Sequence, residues 1–140
     1  MPSIETHAIL PAKPDRVFAL LRQVEDFPQY TRAVESVIQI KEERYRWLIR
    51  VAGVEYHWVV DIVESTSPSC LAWKSVTGIA NSGRYHLSEV NGGTRLRLVI
   101  DYTLNSRFLD HTVGRIAGPI VRRISQEVLA RMHERLALPD

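Results

Sequence analysis

The side chains best suited to act together in this 140-residue chain are aromatic: Trp47, Trp58 and Trp73, with Tyr56, Tyr85 and Tyr102. They sit at alternate positions of segments that read as strands, where successive side chains point to opposite faces. One phase puts Trp47 and Ile49 on a single face with Tyr56, Trp58, Val60 and Ile62, and Trp73, Tyr85, Leu87, Leu96, Leu98, Ile100 and Tyr102 join it. A converging apolar surface of this kind suits a hydrophobic ligand. Removing about 300 Å² of apolar surface from water, at roughly 25 cal/mol per Å², gives a gross gain near 7 kcal/mol before binding entropy is subtracted. Tyr56, Tyr85 and Tyr102 can each offer a hydroxyl to a carbonyl or quinone oxygen, since a few polar groups in an apolar pocket commonly orient a ligand. The competing reading is that the same rings fill the core solidly, with their indoles and phenols satisfied by backbone or water.

Other chemistries find less support. Nucleophilic catalysis needs a Ser, Cys or Thr beside an oriented base, and no local signature of that kind is present. Cys70 is the single cysteine; it reads as a small buried residue, excludes an intramolecular disulfide, and points to a reducing, cytoplasmic setting. His7, His57, His86, His111 and His133 are scattered without paired spacing, so no metal and no cofactor is expected.

The charges fall on the opposite strand face: Arg46, Arg50, His57, Asp61, Lys74, Arg84, His86, Arg95, Arg97 and Asp101. The net charge of +2 is too small to argue for nucleic acid, and no DNA-binding motif is present. The favoured reading of this face is a solvated surface with cross-strand pairs, such as Arg97 with a nearby acid. With 45% hydrophobic and 24% charged residues, residues 1–140 are expected to form a single domain. No run of about 18 uncharged apolar residues is present, so no membrane span is expected. Met1 to Leu10 carries Glu5 and His7 in its apolar stretch, unlike a secretory leader.

The elements that must position the aromatic face follow from periodicity. Ser3 to Leu10 reads as a strand closed by Pro11. Pro14 and Asp15 open a short helix through Leu21, and Glu25 to Arg32, containing Pro28, reads as a second short helix or turn. Six strands follow: Val34 to Lys41, Tyr45 to Ala52, Val54 to Glu64, Cys70 to Thr77, Ala80 to Val90 and Thr94 to Leu104. Turn signals at Ala52 and Gly53, Pro68, Gly78 and Asn91 to Gly93 separate them into an antiparallel meander. Ser106 caps a last helix reaching about Leu136, with Leu109, Val113, Ile116, Ile120, Ile124, Val128, Met132 and Leu136 on one side. Gly118 and Pro119 are expected to kink it or divide it in two. The class is α+β, with a helix across one sheet face.

Particular residues carry a resemblance over nearly the whole chain. The opening strand, Pro11 to Tyr30 (PAKPDRVFALLRQVEDFPQY), Trp58, Pro68 followed by Trp73 and Ser75, Gly78 to Gly83 (GIANSG), Gly93 to Leu96 (GTRL), Tyr102 and the last helix resemble the START-related (SRPBCC) superfamily. More narrowly they are similar to its polyketide cyclase/dehydrase and coenzyme-Q-binding-like branch. The resemblance implies a helix-grip fold: a curved antiparallel sheet wrapped around a long C-terminal helix, two short helices after the first strand, and an apolar cavity between sheet and helix. It implies binding or transfer of a small hydrophobic ligand (a lipid, quinone or polyketide-like molecule).

Joined to the aromatic face, that resemblance makes Trp47, Tyr56, Trp58, Trp73, Tyr85, Leu98, Ile100, Tyr102, Val113, Ile116 and Ile120 the expected lining. A polyketide cyclase or dehydratase using the same cavity is the enzymatic alternative. It would need an acid and a base inside, for which His111 is the best-placed residue. Two further partner readings stand beside these. The basic sheet face could meet a ribosome or protein, as some relatives do. Arg115, Arg122, Arg123 and Arg131 along the last helix could meet a membrane transiently while a ligand loads.

Overall fold

The computed structural model describes residues 3–78, 80–102 and 111–138, with the backbone alone for residues 111–117. Strand β1 (Ser3–Leu10) leads into helix α1 (Pro14–Arg22) and a 3₁₀ turn (Val24–Gln29). Strands β2 (Val34–Lys41), β3 (Arg44–Val51), β4 (Val54–Thr66), β5 (Cys70–Thr77), β6 (Asn81–Val90) and β7 (Gly93–Tyr102) follow, and then helix α2 (His111–Ala137). Pro14 begins α1 with its fixed φ, Asp15 lies by the positive end of the helix and Arg22 by the negative end. The stretch after α1 is a six-residue 3₁₀ helix rather than an element reaching Arg32, because Pro28 cannot donate into a longer α-helical ladder.

One seven-stranded antiparallel sheet results, in the order β1-β7-β6-β5-β4-β3-β2. Strands β2 to β7 are a meander, and β1 closes it by pairing with β7 from Ser3↔Asp101 to Leu10↔Thr94. The hairpin residues Ala52 and Gly53, and Asn91 and Gly92, all have positive φ, the backbone twist that a two-residue turn between right-twisted strands requires.

Helix α2 runs unbroken through Gly118 and Pro119, which corrects the expectation of two shorter helices. Pro119 is exposed, so the donor it lacks is missing on the outer side of the helix, and packing of the inner side keeps the rod continuous. From Ile124 onward the expected inner stripe is inward: Val128, Met132 and Leu136 are buried and Ile124 is half-buried. The expected helix start at Ser106, and Leu109, lie outside the described residues.

The solid part of the core joins α1, β1, β7 and the C-terminal half of α2, where Leu10, Val17, Leu21, Leu96 and Met132 are essentially inaccessible. Side chains tie these elements at their ends. Arg16 donates from Nη1 to the Leu136 carbonyl (3.2 Å) and from Nη2 to that of Leu138 (3.3 Å), satisfying acceptors that a helix leaves unpaired at its C-terminus. Arg135 donates to the Tyr30 hydroxyl at 3.0 Å and stands 3.6 Å from Asp26.

Thr94, 0% exposed, donates its hydroxyl to the Ala12 carbonyl at 2.7 Å. Thr94→Val keeps the shape and removes the donor, leaving a buried carbonyl unpaired. A loss of about 1–3 kcal/mol is expected, read from the urea midpoint at unchanged slope.

On the outer sheet face the expected partner of Arg97 is Glu5, 2.9 Å from its Nε. Arg44 grips Asp61 with two hydrogen bonds (2.7 and 3.0 Å), Arg84 reaches Glu64 at 2.7 Å, and Arg50 pairs with Glu35 and Glu55. These guanidinium partners hold the carboxyls of Glu5, Asp61 and Glu64 below the usual range. Arg50, Arg84 and Arg97 are thus engaged by neighbours within the sheet.

Candidate ligand cavity

Between the concave face of the sheet and α2 lies an apolar cavity of about 250 Å³. Its floor comes from alternate residues of β3 to β7, in the phase that the aromatic pattern sets. Trp47, Trp58, Trp73, Tyr85, Leu98, Ile100 and Tyr102 all border it. Leu21 of α1, with Val24 and Phe27 of the 3₁₀ turn, forms a wall, and Val121, Ile124, Ser125 and Val128 of α2 form the roof.

Two expected residues stand elsewhere. Tyr56 is half-buried and packs against the core near the β3–β4 turn, opposite Ile49, without bordering the space. Ile120 is half-buried but yields its place to Val121. The roof steps by three and four residues, which keeps one face of a 3.6-residue helix turned inward. The side chains of Val113, Ile116 and His111 lie outside the described ones. Tyr45, Leu71 and Asn81 also line the cavity; each shares the strand phase of an aromatic residue two or four positions away and was legible on that ground. Phe27 was not, because its place depends on the 3₁₀ turn folding back until its ring meets Trp47 edge-on at 5.4 Å.

Glycine makes room for the rings. Gly83 faces Trp73 across the β5–β6 pair, and a Cβ there would lie 2.1 and 2.2 Å from the indole. The ring thus lies flat on bare backbone, held by its Nε1 donating to Asn81 Oδ1 at 3.0 Å and by the Tyr85 ring at 5.5 Å. At the other side Tyr102 reaches from the end of β7 to α2, where its hydroxyl would stand 2.9 Å from a Cβ at Gly118.

The electrostatics are plain. Among the described lining residues none carries a charge, and among the described residues no three of His, Cys, Asp and Glu gather as metal ligands would. Cys70 is buried under Arg84, and desolvation pushes its thiol pKa up. Polar atoms in the lining are few and mostly engaged. Ser125 donates back to the Val121 carbonyl at 2.8 Å. Tyr45 lies by the Arg22–Glu43 pair, closed at 2.6 Å. Trp47 Nε1 is sealed in without a partner. Burial pushes the Tyr85 phenol well above its ordinary pKa, so it stays protonated.

The profile of the family described as polyketide cyclase / dehydrase and lipid transport matches residues 1–137. The chain belongs to that family. Solved structures place this polyketide cyclase/dehydrase family member among START-type folds. A Thermus thermophilus protein superposes with a TM-score of 0.83 at 21% identity, over 96% of this chain and 97% of its own. A START superfamily protein of Mycobacterium smegmatis gives 0.79 at 12%, over 96% and 99%. A Streptomyces aromatase/cyclase gives 0.77 at 18%, over 96% and 93%. At these identities the likeness shows the helix-grip fold and nothing finer. No curated protein matches the chain by sequence.

Proposed function

We propose that this protein binds and carries a small, uncharged hydrophobic molecule in the cavity under α2 and does not transform it. The single observation that carries this reading is an apolar space of about 250 Å³ whose described lining bears no charge. A dry cavity of about 150 Å³ holds one benzene, so this one suits a molecule of one or two fused rings. Of the ligand classes the fold suggests, it favours a quinone or compact polyketide-like compound over a lipid with long chains. An ionised ligand would leave water with no partner to meet it.

The family's description and the aromatase/cyclase neighbour favour a second reading, cyclisation or dehydration in the same space. Against it stands the absence of any carboxylate or imidazole among the described lining residues, since enolising a polyketide calls for a base and losing water for an acid. A ribosome-facing role finds less support in a sheet face where Arg44, Arg50, Arg84 and Arg97 are paired with neighbouring acids. For membrane loading, Arg122, Arg123 and Arg131 are exposed along α2, and no helix among the described residues is long and apolar enough to cross a bilayer.

The test is titration with 1-naphthylamine, a neutral two-ring fluorophore whose emission shifts in apolar surroundings. The expected result is saturable binding of one molecule per chain at micromolar concentration, with the compound recovered unchanged. A linear, non-saturating signal would contradict the proposal.

A further inference from the structure

Among the described residues around the cavity, Tyr85 is the deeply buried side chain whose polar atom has neither a hydrogen-bond partner nor a charged neighbour and is not sealed off; Trp58 Nε1 is also without a partner, but its ring is only half-buried. Trp73 Nε1 is spent on Asn81 and the Ser125 hydroxyl on Val121. Tyr102 is half-exposed with its hydroxyl at Gly118, and Tyr45 lies by Arg22 and Glu43. Trp47 Nε1 has no partner, but it is sealed from the space and out of reach of a ligand. Tyr85 differs from all of these. It is 7% exposed, it borders the cavity, and its hydroxyl has no hydrogen-bond partner among the described residues. Nor is that hydroxyl one of the sealed atoms, which are Thr6 Oγ1 and Trp47 Nε1. For a residue so buried, the surface it retains is the wall of the cavity.

The ring is held firmly by Leu71 and Leu98, which face it across the two neighbouring strands, and by Trp73. A fixed donor in an apolar, uncharged enclosure is left unsatisfied until something in that space accepts from it. We infer that the Tyr85 hydroxyl anchors the ligand by donating to a neutral carbonyl-type oxygen, so that the ligand class is an uncharged aromatic ketone or quinone of about two rings. This rests on the reading of the cavity as a ligand site and adds to it the atom that sets ligand orientation.

Three probes sharing one skeleton separate these statements: 2-acetylnaphthalene, 2-isopropenylnaphthalene, in which a methylene replaces the oxygen, and 2-naphthoate. Each is titrated against the wild-type chain and Tyr85→Phe, which keeps the ring and removes the donor. In the variant the ketone is expected to weaken by about three- to tenfold, the range of one buried hydrogen bond, while the alkene keeps its affinity. The naphthoate is expected to bind wild type at least about 100-fold more weakly than the ketone, because its charge finds no partner.

Equal effects of Tyr85→Phe on ketone and alkene, or no effect on either, would overturn the anchor while the cavity reading stands. Failure of all three probes to bind wild type would overturn both. Should the variant fold poorly, the wild-type chain still decides. The infrared carbonyl stretch of bound, ¹³C-labelled 2-acetylnaphthalene is expected below its value in hexane, as for an accepted hydrogen bond, and an unshifted band would refute the anchor.

Discussion

Gly83→Ala is expected to weaken ligand binding by at least about tenfold and to destabilise the fold by about 1–3 kcal/mol, the usual range for forcing extra volume into a packed site. The added methyl carbon would lie 2.1, 2.2 and 2.7 Å from three atoms of the Trp73 indole, so the ring must leave its place. Its edge is tied to Asn81 and its neighbour is Tyr85. The room available to it is the cavity, which it would partly fill. Affinity for 1-naphthylamine and the urea midpoint should fall together. Adding Trp73→Phe to the alanine variant, with a smaller ring and no Nε1, should restore much of the affinity. Unaltered binding by Gly83→Ala would mean that Trp73 does not shape the site.

Met132→Ala is expected to cost about 2–5 kcal/mol, as for other large aliphatic side chains removed from a close-packed core. Typical total stability is about 5–15 kcal/mol, so a large fraction would be lost. Met132 is 0% exposed, on the half of α2 that packs against β1 and the solid core. Ile124, two turns earlier on the same helix, is half-buried and borders the existing space. Its truncation removes fewer contacts and enlarges a void already present, so Ile124→Ala should cost about 1–2 kcal/mol. Urea denaturation of the two variants measures the difference. Equal losses would imply that α2 is packed to one density along its length, which a cavity under its middle does not allow.

The sheet was the most legible part of the chain, because period-two alternation fixes a strand's phase and the aromatic residues leave little choice of which face is inward. Trp47, Trp58, Trp73, Tyr85, Leu98, Ile100 and Tyr102 all fall where that phase puts them. The helix was less legible. Stepping by four from Ile116 to Ile120, Ile124 and Val128 advances about 40° too far at every step, so Ile120 drifts off the face that Val121 and Ser125 occupy. Pro119 does not divide the helix in two, because the cost of a missing donor depends on whether that side of the helix is exposed, which tertiary packing decides and local sequence does not. The wall of Phe27 and Val24, the bare patch that Gly83 offers Trp73, and the contrast between Tyr85 and its fellow tyrosines all arise from contacts between distant segments. Residue types alone gave Tyr56, Tyr85 and Tyr102 equal standing. Geometry separates them, since Tyr56 does not reach the space and Tyr102 is half-exposed at Gly118.

The most direct measurement is a crystal structure of the chain grown with 2-acetylnaphthalene. One molecule is expected, enclosed between the Trp58 and Trp73 rings and the Ile124 side of α2, displacing no backbone element. A cavity closed by collapsed indole and phenol rings, with the compound absent or bound on the outer surface, would contradict it.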